Sequence, residues 1–240
     1  ALITTLSLAA CGNSQAKSKK SESSSISTNS TKNSNSTSTK NDSISNSTTN
    51  SSSSISKSSN SSSSAAVSLT DDQKSQVENA FMSWASGRAK TGNMAVSDWY
   101  FDHGSAGFGD WYANTPDGEV QVQDNNHPGN KAFKIHAVGG CVFYTSIDGS
   151  TGQQNAYKSS FADNYSASMR ADHPVIKYML GDNGVVYELK LDGNNASTNS
   201  GFGEYDDDGS HGDYGPTESF SVSQDTAAQT ELKNLLAQYK

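Results

Sequence analysis

The sequence predicts an α+β domain, a mainly antiparallel β-sheet flanked by an N-terminal and a C-terminal helix, preceded by a disordered stalk. Three observations lead there. All 21 aromatic residues lie beyond position 64, whereas residues 12–64 contain 25 serines and only four apolar residues, Ala16, Ile26, Ile44 and Ile55. Residues 65–240 hold 65 apolar residues and 19 glycines in 176 positions, the proportion of an ordinary folded domain. Within that stretch apolar spacing is helical at the two ends and strand-like between, with no alternation of strands and helices, which is the signature of α+β rather than α/β. The organisation expected is a truncated signal segment over 1–11, a disordered serine-rich stalk over 12–66 and a globular domain over 67–240.

The elements follow in order. Thr70 with Gln73 makes a capping box, and Val77, Ala80, Phe81, Trp84 and Ala85 recur at helical spacing, so a helix should run from 71 to a stop near Gly87 or Gly92. Short aromatic runs at 98–101 and 110–114 read as strands. Thr115-Pro116-Asp117-Gly118 is a turn into the alternating segment 119–123. Segments 132–138 and 141–146 read as a strand pair around Gly139-Gly140, and 148–152 as a turn. Residues 156–170 suggest a short helix. Strands at 175–180 and 185–191 flank Gly181-Asp182-Asn183-Gly184, a strong hairpin signal. A last strand at 219–223 precedes a helix over 225–239, with Ala228, Leu232, Leu235, Leu236 and Tyr239 on one face.

The N-terminus gives an address. An apolar run ends in Leu8-Ala9-Ala10-Cys11, which resembles a bacterial lipobox, the motif whose cysteine is lipidated and becomes the mature N-terminus. Cys11 is therefore the expected lipidation site, and the expected location is the extracellular face of the bacterial cell membrane. Such a stalk buries too little to offset its ordering entropy, and as a coil it spans about 40 Å, enough to let the domain range through the wall. With Cys11 lipidated, Cys141 has no disulfide partner, and its place in an alternating strand suggests core. The stalk carries a net charge of +4 and residues 65–240 a net charge of −12. Strong negative charge argues against nucleic acid and anionic lipid as partners of the domain, and favours cations and basic partners.

Chemistry is less explicit. There is no Gly-x-Ser-x-Gly and no His-Glu-x-x-His, and the Ser-x-x-Lys matches at Ser14 and Ser54 fall in the stalk. None of the five histidines stands at metal spacing to another. His136 alternates with aliphatic residues and reads as structural. Glu204, Asp206, Asp208, Ser210 and Asp213 form an acidic cluster. Asp206, Asp208 and Ser210 have the alternate spacing of a calcium loop, but the sixth position is His211 and the twelfth Thr217, so calcium is the only cofactor suggested and the EF-hand pattern fails. Gly107-Phe108-Gly109 and Gly201-Phe202-Gly203 are matching segments. Their rings, with Trp99, Trp111 and Tyr205, suggest a platform on which sugars stack, or else core.

Four segments carry a wider resemblance: Phe-Asp-His-Gly-Ser-Ala-Gly-Phe-Gly-Asp-Trp-Tyr (101–112), Lys-Ala-Phe-Lys-Ile-His-Ala-Val-Gly-Gly (131–140), Asp-Asn-Gly-Val-Val-Tyr-Glu-Leu (182–189) and Gly-Phe-Gly-Glu-Tyr-Asp-Asp-Asp-Gly-Ser (201–210). From about Trp99 onward the chain resembles an uncharacterised family of exported proteins and lipoproteins of lactic-acid bacteria. The resemblance implies a surface location and transfers no site. The leading expectation is a lipid-anchored, non-catalytic domain that binds a cell-wall polymer, glycan or partner protein. One alternative is an extracytoplasmic hydrolase of wall glycan or peptide, using Glu188 or Glu204 with Asp206, Asp207 or Asp208 as acid and base. Another is a structural or envelope-stress lipoprotein.

Overall fold

The computed structural model describes residues 65–101, 107–155 and 167–240. Cys11, the signal segment, the stalk up to residue 64, and most of the helix expected over 156–170 lie outside the described residues. No helix among the described residues is long and apolar enough to cross a membrane.

The first helix, α1 (Asp71–Thr91), starts where the sequence places it. Thr70 Oγ1 accepts from the Gln73 amide at 3.3 Å, and Gln73 Oε1 accepts from the Thr70 amide at 2.9 Å, so both halves of the capping box form. Asp71 and Asp72 in the first turn and Arg88 and Lys90 in the last complement the helix dipole, and Gly92 caps the end. The buried face is Val77, Phe81, Met82, Ala85 and Ala89. The second helix, α2 (Thr226–Leu236), is capped by Asp225, which accepts from the amides of Ala227 and Ala228, and it buries Ala228, Leu232 and Leu236. The Arg88–Asp225 ion pair at 2.8 Å and the Tyr239 hydroxyl donating to Gln76 Oε1 at 2.9 Å tie the helices together.

The described residues contribute nine strands: β1 (Ala95–Ser97), β2 (Trp111–Thr115), β3 (Gly118–Gln123), β4 (Ile135–Tyr144), β5 (Gly152–Gln153), β6 (Val175–Gly181), β7 (Val186–Leu191), β8 (Gly203–Glu204) and β9 (Ser221–Val222). The main path is β8-β2-β3-β4-β6-β7-β9, with β1 pairing the second half of β4 and β5 beyond it. All pairs are antiparallel except β3–β4 and β1–β5. The fold is thus α+β with a mainly antiparallel open sheet and two helices.

Several expectations are corrected. Gly139-Gly140 does not turn the chain. Segments 132–138 and 141–146 are largely one continuous strand, β4, with an irregularity between Ala137 and Gly139. The glycines are there because neighbours lie on top of them: a Cβ at Gly139 would sit 2.6 Å from the Glu78 carboxyl carbon, and one at Gly140 would sit 2.5 Å from the Tyr178 carbonyl oxygen. The aromatic run 98–101 is not a strand either; the strand is β1 just before it, and Trp99 turns into the core.

The sheet is covered differently on its two faces. One face meets both helices, packing Val138, Cys141, Phe143, Tyr178, Leu180 and Val186 against α1 and α2. The other is covered by loop residues, with Trp99, Met169, Ala196, Phe202 and Phe220 closing over Val142, Val175, Met179 and Tyr187. Cys141 is fully buried on the helix side, and burial pushes its thiol far above the usual range. In a protein whose Cys11 is replaced by Ser, Cys141 should resist alkylation in native buffer and react on unfolding. Rapid labelling of the folded protein would contradict this packing.

Candidate functional site

The site grows from the edge of the sheet at β8. Short as it is, β8 sets Glu204 opposite Trp111 and Gly203 opposite Tyr112. This brings the two matching Gly-Phe-Gly segments together. Gly109 lies so close to Tyr205 that a Cβ there would be 1.5 Å from the Tyr205 carbonyl oxygen, which no side chain can satisfy. The two phenylalanines nevertheless end in opposite surroundings. Phe202 is core, 5 % exposed, while Phe108 is 71 % exposed.

Beyond β8 the acidic segment closes on itself. Tyr205 bridges to His211, the Asp206 amide donates to the Ser210 carbonyl, and Gly209 takes the left-handed conformation (φ 80°) that the turn needs. Asp208 Oδ1 accepts from both the amide and the hydroxyl of Ser210, which lowers the carboxyl's pKa. Asp207 Oδ1 accepts from the Phe108 amide at 2.9 Å. His127 Nδ1 stands 2.6 Å from the Asp207 carbonyl, so that nitrogen carries the proton. From β3, Glu119 grips the segment with both oxygens: Oε2 accepts from the Tyr205 hydroxyl at 2.6 Å, and Oε1 lies 2.8 Å from His211 Nε2. The Tyr112, Tyr205 and His211 rings pack against one another beneath it. Burial, then Glu119, pushes the Tyr205 hydroxyl well above its usual pKa.

The result is a cleft of about 420 Å³ lined by Gly107, Glu204, Tyr205, Asp206, Asp207, Asp208 and Tyr214. Only three large apolar side chains among the described residues are strongly exposed: Tyr214, which lines this cleft, Phe108, which follows the lining residue Gly107 and donates its amide to Asp207, and Ile147.

The ring platform read from the sequence is therefore corrected. Trp99, Trp111, Phe202 and Tyr205 are all at least nine-tenths buried. Trp99, Trp111 and Phe202 fill the sheet face that no helix covers, where large rings supply the burial, while Tyr205 packs apart from them with Tyr112 and Phe133. Of the five, Phe108 alone faces solvent, and its exposed companion is Tyr214, which the sequence reading passed over. The acidic segment closes into one turn, in which the Asp207 carboxylate turns to the Phe108 amide and that of Asp208 to Ser210. Asp213 is exposed, and no three His, Cys, Asp or Glu side chains among the described residues converge as a metal site would need. Glu188 lies on β7, at the other end of the strand order from β8, engaged by Ser223 and Lys190, so it does not face the acidic loop.

The residue that organises the site is Asp110, fully buried at the foot of β2. Its carboxylate accepts four hydrogen bonds, from the amides of Asn125, His127 and Gly129 and from Gln121 Nε2, at 2.6–3.0 Å. Its backbone carbonyl accepts from the Tyr205 amide. Comparison with family models, curated proteins and solved structures finds no match to the chain.

Proposed function

We propose that the chain is a surface-tethered, non-catalytic binding protein, anchored by lipid on Cys11, and that its domain holds a cell-wall glycan at the acidic cleft that Tyr214 lines, next to Phe108. The observation that carries the reading is an exposed ring, Tyr214, on a carboxylate-lined cleft with a second, Phe108, next to the lining residue Gly107, where Ile147 is the one other large apolar side chain strongly exposed among the described residues. An aromatic face stacks on the apolar face of a sugar ring, and carboxylates accept from its hydroxyls. Any amino groups on the polymer would also be drawn by the domain's charge of −12.

The binding half is tested by Phe108→Ala with Tyr214→Ala. Neither ring contributes much burial, so the melting temperature should hold. Retention on purified cell-wall fractions and on a glycan array should fall about tenfold or more, the worth of one lost ring contact of about 1.4 kcal/mol. Unchanged retention in the double variant would remove the cleft from consideration. The anchoring half is tested by Cys11→Ala. Each buried methylene of an acyl chain contributes about 0.8 kcal/mol, so the wild type should stay in the membrane fraction and the variant should accumulate unprocessed or reach the medium. Identical mass and fractionation would refute lipidation.

A further inference from the structure

A second polar cluster lies where residues 66–69 cross the domain on their way to α1. Ala66, Val67, Ser68 and Leu69 line a cleft of about 280 Å³ together with His136 and Asp182. His136 meets an acceptor at each ring nitrogen. Nδ1 is 2.8 Å from Asp182 Oδ2, and Nε2 is 3.0 Å from the Asn130 carbonyl oxygen. A neutral imidazole has one N–H and one lone pair, so it satisfies only one of these; both together require the imidazolium. Asp182 is the pivot of the strap. Its amide donates to the His136 carbonyl and its own carbonyl accepts from the Val67 amide, each at 2.9 Å. Its Oδ1 is buried without a hydrogen-bond donor, so the imidazolium is the hydrogen-bonded partner of this carboxylate.

We propose that His136 is a proton-operated latch on the strap, residues 66–69, which the imidazolium holds in place through Asp182 and which loosens when His136 loses its proton. Other charged groups face the same cleft from the packed elements. Lys74 of α1 opposes the imidazolium and Asp124, at the end of β3, is of the sign that supports it. The hydrogen bond that His136 donates to Asp182, with that to the Asn130 carbonyl, outweighs burial and Lys74, and the pKa of His136 is raised. A histidine raised on folding contributes stability that is complete below its unfolded pKa of about 6.5 and is lost as pH rises through the folded value. The strap is therefore held at acidic pH and freed on the alkaline side.

The test uses the full chain between about pH 5 and 9, across the histidine range. Ring ¹⁵N shifts of His136 should show both nitrogens protonated at the acid end. The Val67 amide, corrected for intrinsic exchange, should exchange at least about fivefold faster once the ring titrates, as expected when the charge-assisted hydrogen bond to Asp182 becomes a neutral one and weakens by about 1 kcal/mol, while the Tyr187 amide in the core does not change. His136→Gln should remove the pH step at Val67, and Asp182→Asn should move the ring titration to lower pH. A flat Val67 profile across the titration, or a ring protonated on a single nitrogen at the acid end, overturns the latch. Both readouts come from the wild type, so the outcome stands even if a variant fails to fold.

Discussion

Replacing Asp110 by Ala should cost about 4 kcal/mol or more and lower the midpoint of chemical unfolding accordingly. The carboxylate is fully buried and receives three backbone amides and one side-chain amide. Removing it leaves all four donors facing a void. An orphaned buried donor costs about 1–3 kcal/mol, so even partial repair by water leaves a large loss. Asp110→Asn keeps the volume but sets an NH₂ group against N–H donors, and should also destabilise. Because the Asp110 carbonyl holds the Tyr205 amide, the proposed wall binding should fall in both variants at temperatures where they remain folded. A loss below about 1 kcal/mol in the Ala variant would mean that the loop 124–129 finds other acceptors, and would sink the claim that Asp110 organises this edge.

Lys177→Ala should be comparably severe, about 3–5 kcal/mol, or roughly 10 °C in melting temperature for a domain of this size. Lys177 is fully buried on the loop-covered face. Its ammonium donates to the carbonyls of Thr198 and Ser200 at 2.8 and 2.9 Å and lies 4.8 Å from the centre of the Phe202 ring. Truncation removes four side-chain atoms from packed core and leaves two carbonyls without their donor. Lys177→Met retains the volume and isolates the charge. Burial holds the Lys177 pKa well below the ordinary lysine value, so between the lowered and the ordinary pKa the unfolded chain binds more protons than the folded one. Stability from this residue therefore rises with pH toward the ordinary lysine range. The difference in unfolding free energy between wild type and Lys177→Met should move in favour of the wild type as pH rises. A difference independent of pH would mean that Lys177 keeps its ordinary proton affinity in the folded state.

Much of the architecture could be read from local sequence because its signals are local. Thr70 with Gln73, Asp225 ahead of α2, and Gly181-Asp182-Asn183-Gly184 between β6 and β7 each define their element within a few residues. Other features depend on partners far along the chain. Gly139-Gly140 looks like a turn, but the pair is explained by Glu78 and Tyr100, which come from α1 and from the segment after β1. The strand β8 is two residues long, too short for any alternation to show, and hides inside an acidic run. Asp110 is silent in the sequence for a different reason: three of its four donors are backbone amides, which leave no letter there. The rings stand out in the sequence, but period alone does not tell a face covered by helices from one covered by loops, and so it does not separate Phe202 in the core from Phe108 at the surface.

The pairing of β2 with β8 also bears on when the cleft comes into being. Trp111 and Glu204 stand on either side of the whole middle of the chain, and closing so long a loop is an entropic cost that local helices and the β6–β7 hairpin do not carry. Those local elements are therefore expected to form first, and the edge bearing Phe108, the acidic turn and Tyr214 to close last. A chain still emerging, or one cut before residue 203, would have α1 and the β6–β7 hairpin but no cleft. The proposed binding would thus report on completed folding rather than on the mere presence of the chain.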